Sequence, residues 1–151
     1  MKAKYNTKLK EWLLSIADEG SIVDLGFTQV YMAGANSIDA YQNGYAGDDW
    51  KSSWIVFAKW GGSDAFIYDS VTEEILVAMH GMGKWDAHAI SPSFEKFDFI
   101  LSTWQKVAKP YNSILDDECE LRTDFISELK EALEKHLESK YVETFLEFIA
   151  F

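Results

Sequence analysis

The sequence predicts an α+β fold, with a mainly antiparallel central sheet of about five or six strands covered by helices, one N-terminal and two or three C-terminal. Three observations carry this. Helical periodicity occupies both ends of the chain, β-branched and aromatic runs occupy the middle, and the turns between those runs are too short for crossover helices. Strands in one block and helices in another segregate into layers.

Residues 3–18 read as the first helix. Leu9, Trp12, Leu13 and Ile16 recur at helical spacing, Lys8, Lys10 and Glu11 lie between them, and Gly20 closes the segment. Ile22, Val23 and Leu25, then Thr28 to Met32, read as strand and stop at Gly34. Ser37 to Gly44 suits a short helix that buries Ile38 and Tyr41, and Gly47-Asp48-Asp49 makes a polar turn. Trp54 to Ala58 is apolar on both faces, as a central strand covered on both sides would be. Gly61-Gly62-Ser63 breaks the chain before Ala65 to Tyr68, which predicts a hairpin. Asp69 to Thr72 turns into a strand over Ile75 to His80, and a last short strand covers Trp85 to Ile90.

Ser91 reads as an N-cap with Pro92 at the first helical position, and Phe94, Phe97, Leu101, Trp104 and Ala108 then form one stripe ending at Pro110. Leu121, Phe125, Leu129, Leu133 and Leu137 make a second stripe, and Tyr141, Phe145 and Ile149 a third. Residues 1–151 read as one domain. Trp54, Phe66, Trp85, Phe94 and Phe97 are expected to share one core between the sheet and the helix after Pro92, so that Trp85→Ala costs about 3–5 kcal/mol.

Composition narrows the function. A chain of 151 residues, 48% hydrophobic and 15% aromatic, suits a packed globule and not a disordered segment. The formal charge is −11, and it is uneven: residues 1–109 hold 14 acids and 10 bases, residues 110–151 hold 11 acids and 4 bases. Such a field repels phosphate backbones and anionic lipid, so neither nucleic acid nor a membrane surface is an expected partner, whereas a basic protein is. The start of the chain shows no apolar run of signal-peptide type, no stretch is long enough to span a bilayer, and a reducing cytoplasm is expected. Cys119 has no partner cysteine and reads as a small packed helical residue.

Enzyme chemistry finds little purchase. His80 and His88 could converge with Asp64 and Asp69 on a divalent metal, as in a metal-dependent hydrolase, but their spacing matches no ligand motif, and turn hydrogen bonding accounts for them more simply. His136 reads as a helix-surface residue. Gly61-Gly62 leads into a strand, and Gly81-Met82-Gly83 lacks a third glycine and a following helix, so neither cradles phosphate. No cofactor is expected.

Acids gather outside the helical stripes at two places, Asp48-Asp49 beside Trp50 and Asp116-Asp117-Glu118. An aromatic beside carboxylates suits a protein interface, with the ring supplying buried area and the charges steering a basic surface. The plainer alternatives are that Trp50 packs beside Trp54 and that the loop acids are merely solvated.

The block from Tyr41 to Phe97 carries a resemblance. It contains Tyr41-Gln42-Asn43-Gly44-Tyr45, the Trp54-Ile55-Val56-Phe57 strand, the Gly62-Ser63-Asp64 turn, His80-Gly81-Met82-Gly83-Lys84-Trp85, and the helix start Ser93-Phe94-Glu95-Lys96-Phe97. In that order and spacing it resembles the SUKH superfamily, the cell-wall-regulator-like fold of the SMI/KNR type, over residues 22–107, with 110–151 as a C-terminal helical extension. Ala65 stands where the closest type usually has proline, and Ser37-Ile38-Asp39 stands in place of a Leu-Pro helix start. The resemblance implies no catalytic residues. It implies a binding protein, either an immunity protein that neutralises a toxin domain or a regulatory or scaffolding adaptor.

Overall fold

Among the described residues, six strands run as one antiparallel meander, each paired with its neighbour in sequence. The computed structural model describes residues 5–62, 64–78 and 84–150. Its strands are β1 (Ser21–Asp24), β2 (Gln29–Met32), β3 (Trp54–Trp60), β4 (Asp64–Asp69), β5 (Ile75–Ala78) and β6 (Ala87–Ser91). Five helices accompany them: α1 (Thr7–Leu14), the single turn α2 (Ile38–Tyr41), α3 (Phe94–Ala108), α4 (Thr123–Glu134) and α5 (Ser139–Ile149). This is the α+β arrangement that the sequence predicts.

Side-chain alternation divides the sheet into two faces. Ile55 and Phe57 of β3, Phe66 and Tyr68 of β4, and Ile75 and Val77 of β5 point to the side of α1, α3, α4 and α5. Phe57 is the hinge of that core. Its ring stands edge-on to Trp12 at 5.1 Å, to Phe94 at 5.2 Å and to Phe97 at 5.1 Å. A bulge between Val56 and Ala58 lets Phe57 and Ala58 both face the helices. The same cluster takes Leu9 from α1, Phe125 and Leu129 from α4, and Phe145 and Phe148 from α5, so both ends of the chain feed one core.

Trp54, Val56, Ala65, Ile67, Leu76 and Ala78 form a second, smaller cluster on the opposite face. This corrects one expectation: Phe66, Phe94 and Phe97 share the helix-side core, while Trp54 and Trp85 belong to the other face. Trp54 and Phe66 sit on paired strands but at positions of opposite parity, which sends their side chains apart.

Helix ends also differ from expectation. Ser91 is still in β6, paired with Ile75, and its hydroxyl donates to the Ser93 carbonyl at 2.6 Å. The cap is Ser93, whose hydroxyl accepts from the Lys96 amide at 3.1 Å, so Pro92 precedes the helix instead of opening it. The first helix ends at Leu14, because Ser15 turns both its amide and its hydroxyl back onto the Trp12 carbonyl. The chain then crosses Gly34 so closely that a Cβ there would lie 2.2 Å from the Ala17 carbonyl oxygen, which only glycine allows. Cys119 is exposed in the α3–α4 connection at a φ of 64°, not packed in a helix. Among the described residues no helix is long and apolar enough to cross a membrane.

Candidate functional site

The second face of the sheet is covered by an irregular segment, residues 42–53, and how that segment is held decides the geometry. β2 pairs along β3 only from Trp60 to Ala58, so the backbone of Val56 has no strand on that side. Gln42 completes it. Its carboxamide donates to the Val56 carbonyl at 2.7 Å and accepts from the Val56 amide at 2.9 Å, as a neighbouring strand would. The same nitrogen reaches the Ile38 carbonyl at 2.8 Å and ties the end of α2 to the sheet.

Beyond Gln42 the aromatic residues close over the sheet. The half-buried Trp50 ring meets Trp54 edge-on at 5.2 Å and Trp85 at 5.4 Å, and Tyr45 lies 5.5 Å from Trp50 and 5.3 Å from Trp85. The Trp85 indole N–H donates to the Ala46 carbonyl at 2.8 Å, and its backbone N–H donates to the Asp49 carboxylate. Gly47 turns the chain at a φ of 129°, a conformation that favours glycine. Lys59 lies over Tyr41 at 5.0 Å and Tyr45 at 5.5 Å, and Lys51 over Trp54 at 5.7 Å. Burial raises the phenol pKa of both tyrosines; the negative charge of Asp64 adds to the effect at Tyr45 and the neighbouring Tyr31 phenol at Tyr41.

The six expected partner-binding residues fall in two separate places. Asp48, Asp49 and Trp50 lie on this aromatic face, whereas Asp116, Asp117 and Glu118 lie in the α3–α4 connection, whose Ile114 and Leu121 pack with the helix-side core. Within each set the carboxylates have different duties. Asp48 is exposed, and Asp49, also exposed, holds the Trp85 backbone. Asp116 accepts from the Glu118 amide at 2.8 Å and the Glu120 amide at 3.0 Å, which fixes the turn; Asp117 and Glu118 are exposed. Trp50 packs edge-on against Trp54, the plainer of the two sequence alternatives, and its ring stays half-buried.

Asp64, Asp69 and His88, the described residues among those considered for a metal, belong to no metal-holding group. Asp64 and Asp69 stand at opposite ends of β4, about 17 Å apart at the rise of a strand. Asp69 is buried and accepts from the amides of Val71 at 2.9 Å and Thr72 at 3.4 Å, which shapes the β4–β5 turn. His88 is in β6 and not in a turn; it is exposed, with Nε2 3.0 Å from Asp86. Among the described residues no three His, Cys, Asp or Glu side chains gather to hold a metal ion. His80 and the Gly81-Met82-Gly83 turn lie outside the described residues, as do Ser63 and the end of the strand expected over Ile75 to His80.

Sequence reasoning passed over Gln42 and Lys59. A period of two along β3 already separates Trp54 and Val56 from Ile55 and Phe57, and that signal identifies a second face in need of a cover. Gln42 carries no comparable signal, because its role depends on where β2 stops. What the face offers chemically is ring surface, two lysines held over rings, and carboxylates in water, fixed by backbone hydrogen bonds. Comparison with protein-family models, curated proteins and solved structures finds no match.

Proposed function

We propose that this protein is a non-catalytic binding module of immunity or antitoxin type, which neutralises a basic toxin domain in the cytoplasm by occupying its surface, without a cofactor. The observation that carries the reading is the pairing on the second face of an exposed carboxylate, Asp48, with a ring cluster already fixed in place around Trp50. A preorganised aromatic loses little entropy on docking, and exposed charge beside it raises the encounter rate with a cationic surface. The net charge of −11 acts in the same direction, and the resemblance of residues 22–107 to the SUKH superfamily supports a binding role.

The test follows from the split duties of the two aspartates. With a partner identified by co-purification from the source cells, Asp48→Lys should slow association roughly threefold to tenfold at low salt, leave the melting temperature unchanged, and lose its effect as salt rises. An unchanged association rate at low ionic strength would place docking elsewhere on the molecule. Asp49 is unsuitable for this purpose, since its removal also releases the Trp85 backbone.

A further inference from the structure

A cleft lies away from the aromatic face, where β1 turns into β2. It holds about 500 Å³ between the turn of residues 24–27, the C-terminal end of α3 and residues 111–115. Trp104 is fully buried beneath it and donates its indole N–H to the Leu25 carbonyl at 2.9 Å. Phe27, 39% exposed, stacks on Trp104 at 5.7 Å and forms one wall; Tyr111 lies on another. The turn is fixed: one Asp24 oxygen accepts from the Gly26 amide at 2.9 Å, and Gln105 donates to the Asp24 carbonyl at 3.0 Å.

The lining holds one acid, Asp24, and one base, Lys109, and further acids follow it along the chain. The last turn of the 15-residue α3 ends at the cleft with Ala108, bringing the negative end of the helix dipole to it. The wall made by residues 111–115 runs directly into Asp116, Asp117, Glu118 and Glu120, all exposed and held by the Asp116 turn. Two cations are near. Lys109 lines the cleft, and Arg122 is already committed, bonded to both oxygens of Asp124 and lying 5.2 Å from the centre of the Tyr111 ring.

We infer that this cleft receives an arginine side chain from an extended segment of a protein partner, stacked on Phe27 and steered by the acids of the α3–α4 connection. A planar cation suits the site because it satisfies an aromatic face, helix-terminal carbonyls and carboxylates together. The inference rests on the reading of the protein as a binder of a basic protein, and it adds where that partner is gripped and by which side chain.

The probe is capped arginine, N-acetyl-arginine amide, titrated into the full-length chain and followed by amide and indole NMR, with capped citrulline as the neutral isostere. Arginine should shift Leu25, Gly26, Phe27, the Trp104 indole and residues 111–115, with citrulline at least fivefold weaker. Phe27→Ala, at a half-exposed position, should weaken binding at least threefold. So should Asp117→Asn combined with Glu118→Gln, while Glu95→Gln, exposed at the opposite end of α3, leaves it unchanged. Equal response to citrulline, shifts confined to α4 and α5, or indifference to Phe27→Ala would each overturn the inference. A silent cleft overturns it alone, because the association test at Asp48 reads the opposite face of the sheet, and failure of that test leaves the probe result unaffected.

Discussion

One sheet carries two cores that are built differently. On the helix side, large residues of β3 and β4 interlock with four helices, and Phe57, Phe66, Phe97 and Trp104 are fully buried. On the other side the strands present Trp54 and otherwise smaller residues such as Val56, Ala65 and Ala78, beneath a cover of loop aromatics that stay half in water. Regular helices bury a face completely because their apolar stripe repeats along their length. An irregular segment covers a face only where single side chains happen to reach it, and leaves its backbone and acids at the surface. The first construction seals a core; the second leaves ring surface and charge in water.

If that contrast is right, truncation on the helix side should hurt most. Phe97 is fully buried between Phe57 and Phe66, at 5.1 Å from each. Phe97→Ala should cost about 3–5 kcal/mol in chemical denaturation, a large part of a typical domain's stability. A loss below about 1 kcal/mol would mean that the helix layer does not pack as described.

Gln42 should come next, although it is neither aromatic nor charged. Gln42→Ala leaves both the Val56 amide and its carbonyl without their partner, a penalty of about 1–3 kcal/mol. Hydrogen exchange at the Val56 amide should accelerate with it. Protection that persists in the variant would show that water or another group serves Val56 equally well.

These two residues also show what the sequence could and could not disclose. Phe97 belongs to a stripe with Phe94, Leu101 and Trp104, and its burial follows from the 3.6-residue period alone. Strands β3 to β5 were legible for a similar reason, since short apolar runs between glycine or aspartate turns admit few alternatives. Gln42 was not legible, because its partner is fourteen residues away and is exposed only by the short reach of β2. The acids were visible as a cluster, yet composition could not separate Asp48 from Asp49, or Asp116 from Asp117. Their roles depend on which backbone amide lies within reach. The error at Trp85 has the same origin: its large apolar ring suggested the main core, while the parity of the strands assigned Trp54, its neighbour through Trp50, to the other face.

Trp85→Ala should therefore cost about 1–2 kcal/mol, well short of the 3–5 kcal/mol expected from the sequence, because the ring is only half-buried; its contacts include Tyr45, Trp50 and the hydrogen bond to Ala46. Equal losses for Trp85→Ala and Phe97→Ala, in the same denaturation series, would erase the distinction between the faces.

Alkali offers a gentler probe of the same cover. Burial raises the pKa of Tyr41 and Tyr45, and on the helix side burial followed by the hydrogen bond to Glu74 pushes Tyr141 up to about 12. A raised folded pKa means that the folded state holds its proton longer than the unfolded chain. The stabilisation is whole below the unfolded tyrosine value, about 10, and is lost as pH climbs through the folded value. Stability should thus decline above about pH 10. Phenolate absorbance that rises near pH 10 for Tyr41 and Tyr45 would show the cover standing open.

The smallest effect separates two neighbours. Asp49→Ala removes the acceptor for the Trp85 amide and should cost about 0.5–1.5 kcal/mol, whereas Asp48→Ala should stay within about 0.5 kcal/mol. The consequence for recognition runs the other way. On the proposed binding role, Asp49→Ala should free the chain next to the Trp85 ring, reduce the preorganisation of the ring cluster and quicken dissociation of a docked partner. Asp48→Ala keeps the cluster intact and removes only charge, so it acts on association and only at low salt. Tryptophan fluorescence should report the first variant through a changed environment of Trp50 and Trp85, and should be silent for the second. Identical spectra and identical stabilities for the two variants would mean that the carboxylate of Asp49 does not hold the aromatic face, and that the rings keep their places by packing alone.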